Sequence, residues 1–137
     1  LDCSKNQHYT LTYPKIKVVK SKKMKKEGHI LEGMELLNFQ IISNSGDAKS
    51  YLFEALKDAR EENFKDAEEC IKKAEKSLEK AHEFHSKILT QEAQNEAVKI
   101  SLLLVHAEDQ LACTEMLLNI TKEMLLMNKK YSGVPEK

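Results

Sequence analysis

Residues 64–88 read FKDAEECIKKAEKSLEKAHEFHSKI. Within them Phe64, Ala67, Ile71, Ala74, Leu78, Ala81, His85 and Ile88 recur at alternating spacings of three and four. That alternation is a heptad seam, one apolar stripe on a helix packed nearly parallel or antiparallel to its neighbours. Asn63 stands where a helix cap belongs, and Asp66, three residues on, resembles the acid of a capping box. A helix of this kind cannot bury its stripe alone, so its partners must come from the flanking segments.

Upstream, Leu37, Ile41, Ser45, Ala48, Leu52, Ala55 and Ala59 form the same kind of seam on a helix from about Met34 to Glu61. The small residues Ser45, Gly46 and Ala48 allow another backbone to approach closely. Downstream, the polar stretch from Gln91 to Glu96 reads as a connection to a third helix, from roughly Val98 to Lys130. Between Met34 and Lys130 there is no Pro, and Gly46 is the only Gly. Ala, Leu, Glu and Lys dominate, which is helix composition throughout. Helices of about 30 residues span about 45 Å each. Short connections then give an all-α fold, a three-helix up-down-up antiparallel bundle.

At 137 residues the chain is long enough for one domain with its own core. The formal net charge is zero, so the overall charge does not point to nucleic acid or a membrane surface. The charge is unevenly spread: residues 1–33 carry eight Lys against three acids. These residues read as a basic N-terminal extension that lacks the periodicity to bury anything and is expected to be disordered. Met24 is a candidate natural start within it. The three-helix domain occupies residues 34–130, and residues 131–137 form a flexible C-terminal tail. Cys3, Cys70 and Cys113 are odd in number and show no CxxC spacing, which suits reduced thiols. No apolar run approaches 18 residues and no signal-peptide stretch opens the sequence, so a cytoplasmic protein without membrane insertion is expected.

The third helix carries more apolar surface than a lone bundle needs. Wound at about 100° per residue, it places Ile100, Leu103, Ala107, Leu111, Thr114, Leu118 and Leu125 on one stripe. Leu102, Asp109, Cys113, Met116, Ile120 and Met127 fall on a second, well separated stripe. Ser101, Glu108, Glu115, Asn119 and Lys122 make the solvated strip. One stripe suffices for a three-helix bundle, so the second marks an interface with other chains. The chain is expected to be an oligomer. In a cyclic one, copies of Asp109 meet their own images, which demands a proton, a cation or a water cluster.

His106 lies in the groove between the two stripes, within one turn of Leu102, Leu103 and Gln110. A lone His on a largely apolar helix is most often a satisfied core residue, and a lone Asp at a seam often only fixes register. Periodicity alone therefore leaves room for a non-catalytic helical-bundle adaptor that uses the second stripe to bind partner helices. His82 and His85, three apart, offer a further alternative, a metal-binding bundle. Asn119-Ile120-Thr121 matches a glycosylation sequon, but on such a helix the match is coincidental.

The string LLLVHAEDQL at residues 102–111 resembles the active-site helix of the lactose/cellobiose-type enzyme IIA proteins of the bacterial sugar phosphotransferase system, where the usual string is close to LLVHAQDHLM. The segments MELLNFQIISNSGDAKSYLFEALKDAREENF and AEECIKKAEKSLEKAHEF are similar to that family's first and second helices. The resemblance runs through residues 34–130 in order. It implies a homotrimer of three-helix chains, a nine-helix bundle, that relays a phosphoryl group for disaccharide uptake. His106 would accept the group from the phosphocarrier protein HPr as a phosphohistidine and pass it to a Cys of the cognate enzyme IIB. Asp109 resembles the residue that binds a divalent cation, typically Mg2+, shared among the subunits. Neutral imidazole is a competent nucleophile near pH 7, and phosphoryl transfer asks mainly for positioning and charge stabilisation. Four positions depart from the family's pattern. Glu108 replaces the usual Gln before the Asp, and its solvent-facing position predicts little consequence. Gln110 replaces a frequent second His, and His85-Ser86 stands where Gln-Thr is usual.

Overall fold

A computed structural model describes residues 33–94 and 98–133. Three helices, α1 (Gly33–Arg60), α2 (Phe64–Ala93) and α3 (Leu102–Tyr131), run up, down and up, and no strand occurs among the described residues. Residues 1–32 and 134–137, which hold nearly all of the expected extension and most of the expected tail, lie outside the described residues.

The two heptad seams form the core. Ile41, Ser45, Ala48, Leu52, Ala55 and Ala59 of α1 are all buried, as are Ala67, Ile71, Ala74, Leu78, Ala81 and Ile88 of α2. Asn38 rather than Leu37 is buried at the start of the first seam. Cys70 joins the second, where burial and the neighbouring Glu54 and Asp58 carboxylates push its thiol above the ordinary range. The seams are rich in Ala, so α1 lies close along α2 and also runs beside α3, while α2 and α3 meet more sparingly. Ser45 and Ala48 carry the close packing of α1. Gly46 does not, because a Cβ built there would meet nothing within 4 Å in this chain.

The turn between α1 and α2 closes through backbone bonds. Asn63 donates its N–H to the Asp58 carbonyl at 2.9 Å, and Glu62 donates to the Ala59 carbonyl at 3.2 Å, the two bonds of a Schellman motif. Glu62 takes the left-handed conformation this motif requires, at φ 62°. Asn63 occupies the N-cap position of α2, but its side chain makes no capping hydrogen bond, so the expected capping box is absent.

At the other connection α2 continues to Ala93, and α3 starts at Leu102 instead of near Val98. The reason is Ser101. In an extended conformation its hydroxyl accepts the Leu104 N–H at 3.2 Å, and this cap stops the helix from running further back. Ile100, expected on the buried stripe, precedes the helix and is 80% exposed. Ser101→Ala removes the cap and is expected to cost about 1 kcal/mol, read as a lower urea midpoint with an unchanged slope.

Between α2 and α3, charge replaces much of the apolar packing. Glu68 pairs with Lys129, Glu75 with Lys122 at 2.6 Å and His82 with Glu115 at 2.7 Å. These three pairs recur every seven residues, as antiparallel heptads place flanking positions. His85, only half-buried rather than in the core, reaches Glu108 at 3.1 Å. The two imidazoles therefore contact two different carboxylates more than a turn apart. No group of three or more His, Cys, Asp or Glu able to hold a metal forms among the described residues. Glu108, expected to point freely into solvent, is instead half-buried against α2.

Candidate functional site

The cap at Ser101 sets where each residue of α3 faces. Ala107, Leu111, Thr114, Thr121 and Leu125 turn into the bundle and are buried, with Leu103 and Leu118 half-buried beside them. The stripe on the opposite side has none of the described residues packed over it. Leu102, Met116, Ile120 and Met127 are 85%, 65%, 48% and 56% exposed, and Val105, Met124 and Tyr131 are exposed too. This is a long apolar band on the surface of a single chain, of a size that marks an interface.

Asp109 and Cys113 sit within the band, one turn apart and both exposed. The Cys113 thiol donates to Asp109 Oδ1 at 3.8 Å. Asp109 thus presents a carboxylate, one oxygen weakly engaged by a thiol, in the middle of an apolar face.

His106 lies at the edge of this band. It is exposed and makes no hydrogen bond or ion pair among the described residues. Its backbone is held in the second turn of a capped, 30-residue helix, with the fully buried Ala107 next to it. A fixed backbone carrying an accessible imidazole suits a nucleophile that a large partner must reach. One turn on, Gln110 is half-buried where α1 crosses, and its Oε1 accepts from the Lys49 ammonium at 2.9 Å. The sequence reading singled out His106, Asp109 and Gln110 but not Lys49. The contact joins residues 61 apart on different helices, and periodicity within one helix contains no signal for it.

The model of the lactose/cellobiose-specific IIA subunit of the phosphotransferase system matches residues 36–129, all three helices and the segment that carries His106 and Asp109. The chain belongs to the lactose/cellobiose-specific IIA family. It is 34% identical over 99 residues to the lactose-specific EIIA component of Staphylococcus epidermidis, covering 72% of this chain and 95% of that one. The oligo-beta-mannoside-specific EIIA component of Bacillus subtilis is 40% identical over 91 residues, covering 66% of this chain and 83% of the other. Among solved structures, the cellobiose-specific enzyme IIA from Bacillus anthracis aligns with a TM-score of 0.74 at 32% identity, over 77% of this chain and 97% of that chain. Such an enzyme IIA is a phosphocarrier, a phosphotransferase component in the uptake of lactose- or cellobiose-type sugars. No helix among the described residues is long and apolar enough to cross a membrane.

Proposed function

We propose that this enzyme IIA accepts a phosphoryl group from phospho-HPr on His106 and hands it to a Cys of its cognate enzyme IIB, working in the cytoplasm as a homotrimer. The sugar would be a disaccharide of the lactose, cellobiose or chitobiose class. The observation that carries the reading is the position of His106: accessible, without a partner among the described residues, and at the rim of an apolar band that other copies of α3 would cover. An adaptor that only bound partner helices would have no use for a free imidazole at that rim. The test is incubation with phosphoenolpyruvate, enzyme I and HPr, followed by intact-mass measurement. One acid-labile phosphoryl group per chain, located on His106, is expected; no mass change favours the adaptor.

Three α3 helices meeting along the band would bring three copies of Asp109 together. Their donors are all oxygen, a set that fits a hard divalent cation such as Mg2+. The described residues of a single chain do not assemble such a cluster, so the proposed site depends on the assembly. The cation would neutralise the three carboxylates at the axis. Asp109 holds it, and His106 does the carrying.

The assembly has its own test. Ile120→Glu puts a charge into the band and is expected to dissociate the trimer, because an unpaired carboxylate is costly in an apolar contact. Cys113, shielded along the band in the assembly, is then expected to react with iodoacetamide. Cys70 should stay protected in both states, buried and with its thiolate disfavoured. Equal labelling of Cys113 in the wild type and in Ile120→Glu would place the interface elsewhere.

A further inference from the structure

Among the described residues three lysines pair with a carboxylate, Lys72 with Glu69, Lys122 with Glu75 and Lys129 with Glu68, and two lie over aromatic rings, Lys73 over Tyr51 and Lys87 over Phe84. Lys49 differs. It is half-buried where α1 passes α3, it forms no ion pair among the described residues, and its partner is the neutral side-chain carbonyl of Gln110 at 2.9 Å. Its neighbours one turn away on α1 are Ser45, Gly46, Leu52 and Phe53, none charged. Those of Gln110 on α3 are His106, Ala107, Cys113 and Thr114, with no carboxylate among them. The nearest acid in sequence, Asp109, is turned about 100° around the helix from Gln110. Asp47, two residues before Lys49, is turned about 160° away around α1, so among the described residues no carboxylate pairs with this cation.

Position gives that charge a use. Residues four apart on a helix have Cβ atoms about 5–6 Å from each other. A helical side chain also covers the turn N-terminal to its own Cα. Gln110 therefore lies over the turn that begins at His106, and the Lys49 ammonium is tethered there.

We propose that Lys49 supplies the positive charge that stabilises the phosphoryl group in transit to and from His106, with Gln110 as its tether. The proposal rests on His106 being the phosphoryl acceptor. In the transfer, a bond forms between phosphorus and a ring nitrogen of His106. The bond from phosphorus to the donor atom breaks, and its electron pair returns to that atom. Charge gathers on the three phosphoryl oxygens as this happens, and Lys49 meets it without giving up a proton. Gln110 sets the reach of the ammonium. It stands where the family often has a second His, so here the amide holds a cation that comes from another helix.

The experiment compares wild type, Lys49→Gln, Lys49→Arg and Lys57→Gln as full-length protein, with phospho-HPr as donor. Lys57 removes the same charge two turns further along α1 and controls for general attraction between the proteins. Lys49→Gln is expected to lower kcat about 10-fold to 100-fold, with a smaller change in KM and unchanged sedimentation and melting. Lys49→Arg should recover most of the rate, and Lys57→Gln should affect KM alone. In the phosphorylated proteins, the 31P resonance should move in Lys49→Gln and stay put in Lys57→Gln. A wild-type kcat and an unmoved resonance in Lys49→Gln overturn the assignment of Lys49 while leaving His106 as the acceptor. Failure of the wild type itself to carry phosphate on His106 overturns both.

Discussion

His106→Ala is expected to abolish phosphoryl acceptance while leaving helix content, the proposed trimer and melting behaviour close to wild type. The imidazole is exposed and has no partner among the described residues, so its removal opens no core cavity and orphans no buried group. A surface truncation of this kind costs about 0.5 kcal/mol or less. The loss of function should be complete, because among the described residues no other imidazole stands at the edge of the α3 band. His82 and His85 are on α2, each facing a carboxylate of α3. Intact mass after incubation with the phosphoryl donors reads the function, and circular dichroism with sedimentation reads the fold. A variant that takes up phosphate at the normal rate would move the carrier to another residue and remove the basis for reading Lys49 as its charge partner.

The bundle and the face of His106 were legible because both depend on periodicity within single helices. The spacing of α1 and α2 marks their seams, since Ala and Leu at three and four leave one stripe to bury and the core follows it closely. The second stripe of α3 was legible for the same reason, and among the described residues it stays exposed. Three features escaped. Ser101 was read as part of a solvated strip because apolar residues on both sides blurred the helix start, yet Ser-Leu-Leu-Leu is a recognisable cap followed by a first turn. Glu108 was read as free because a helical wheel shows only which way a residue faces, not what stands there. The answer, His85, depends on the register between α2 and α3. Lys49 escaped for the same reason, since its contact with Gln110 exists only once α1 and α3 lie side by side.

Asp109 gives the other large expected effect, on the assembly rather than on the chemistry. Alone on one chain it is an exposed carboxylate and costs nothing. At the centre of three α3 helices, flanked by Val105, Cys113 and Met116, it would lose most of its water and face two like charges. A divalent cation removes that repulsion and supplies oxygen coordination in return. A chelator is therefore expected to lower the melting temperature of the trimer at neutral pH, and added magnesium to restore it, as linkage requires for a ligand bound only by the assembled state. In the proposed trimer, Asp109→Leu would replace three charges with three side chains that match the band. That variant should lose all cation dependence and exceed the metal-free wild type in stability by roughly 1–4 kcal/mol, the range seen when buried charges give way to apolar packing. It should still accept phosphate, since His106 lies at the rim of the band and Asp109 within it. Thermal melts and sedimentation of wild type and Asp109→Leu, each with chelator and with magnesium, separate the two roles. A wild-type trimer indifferent to the chelator would mean that the carboxylates do not converge on a shared ion. Lost phosphate acceptance in an intact Asp109→Leu trimer would mean that Asp109 acts on His106 directly.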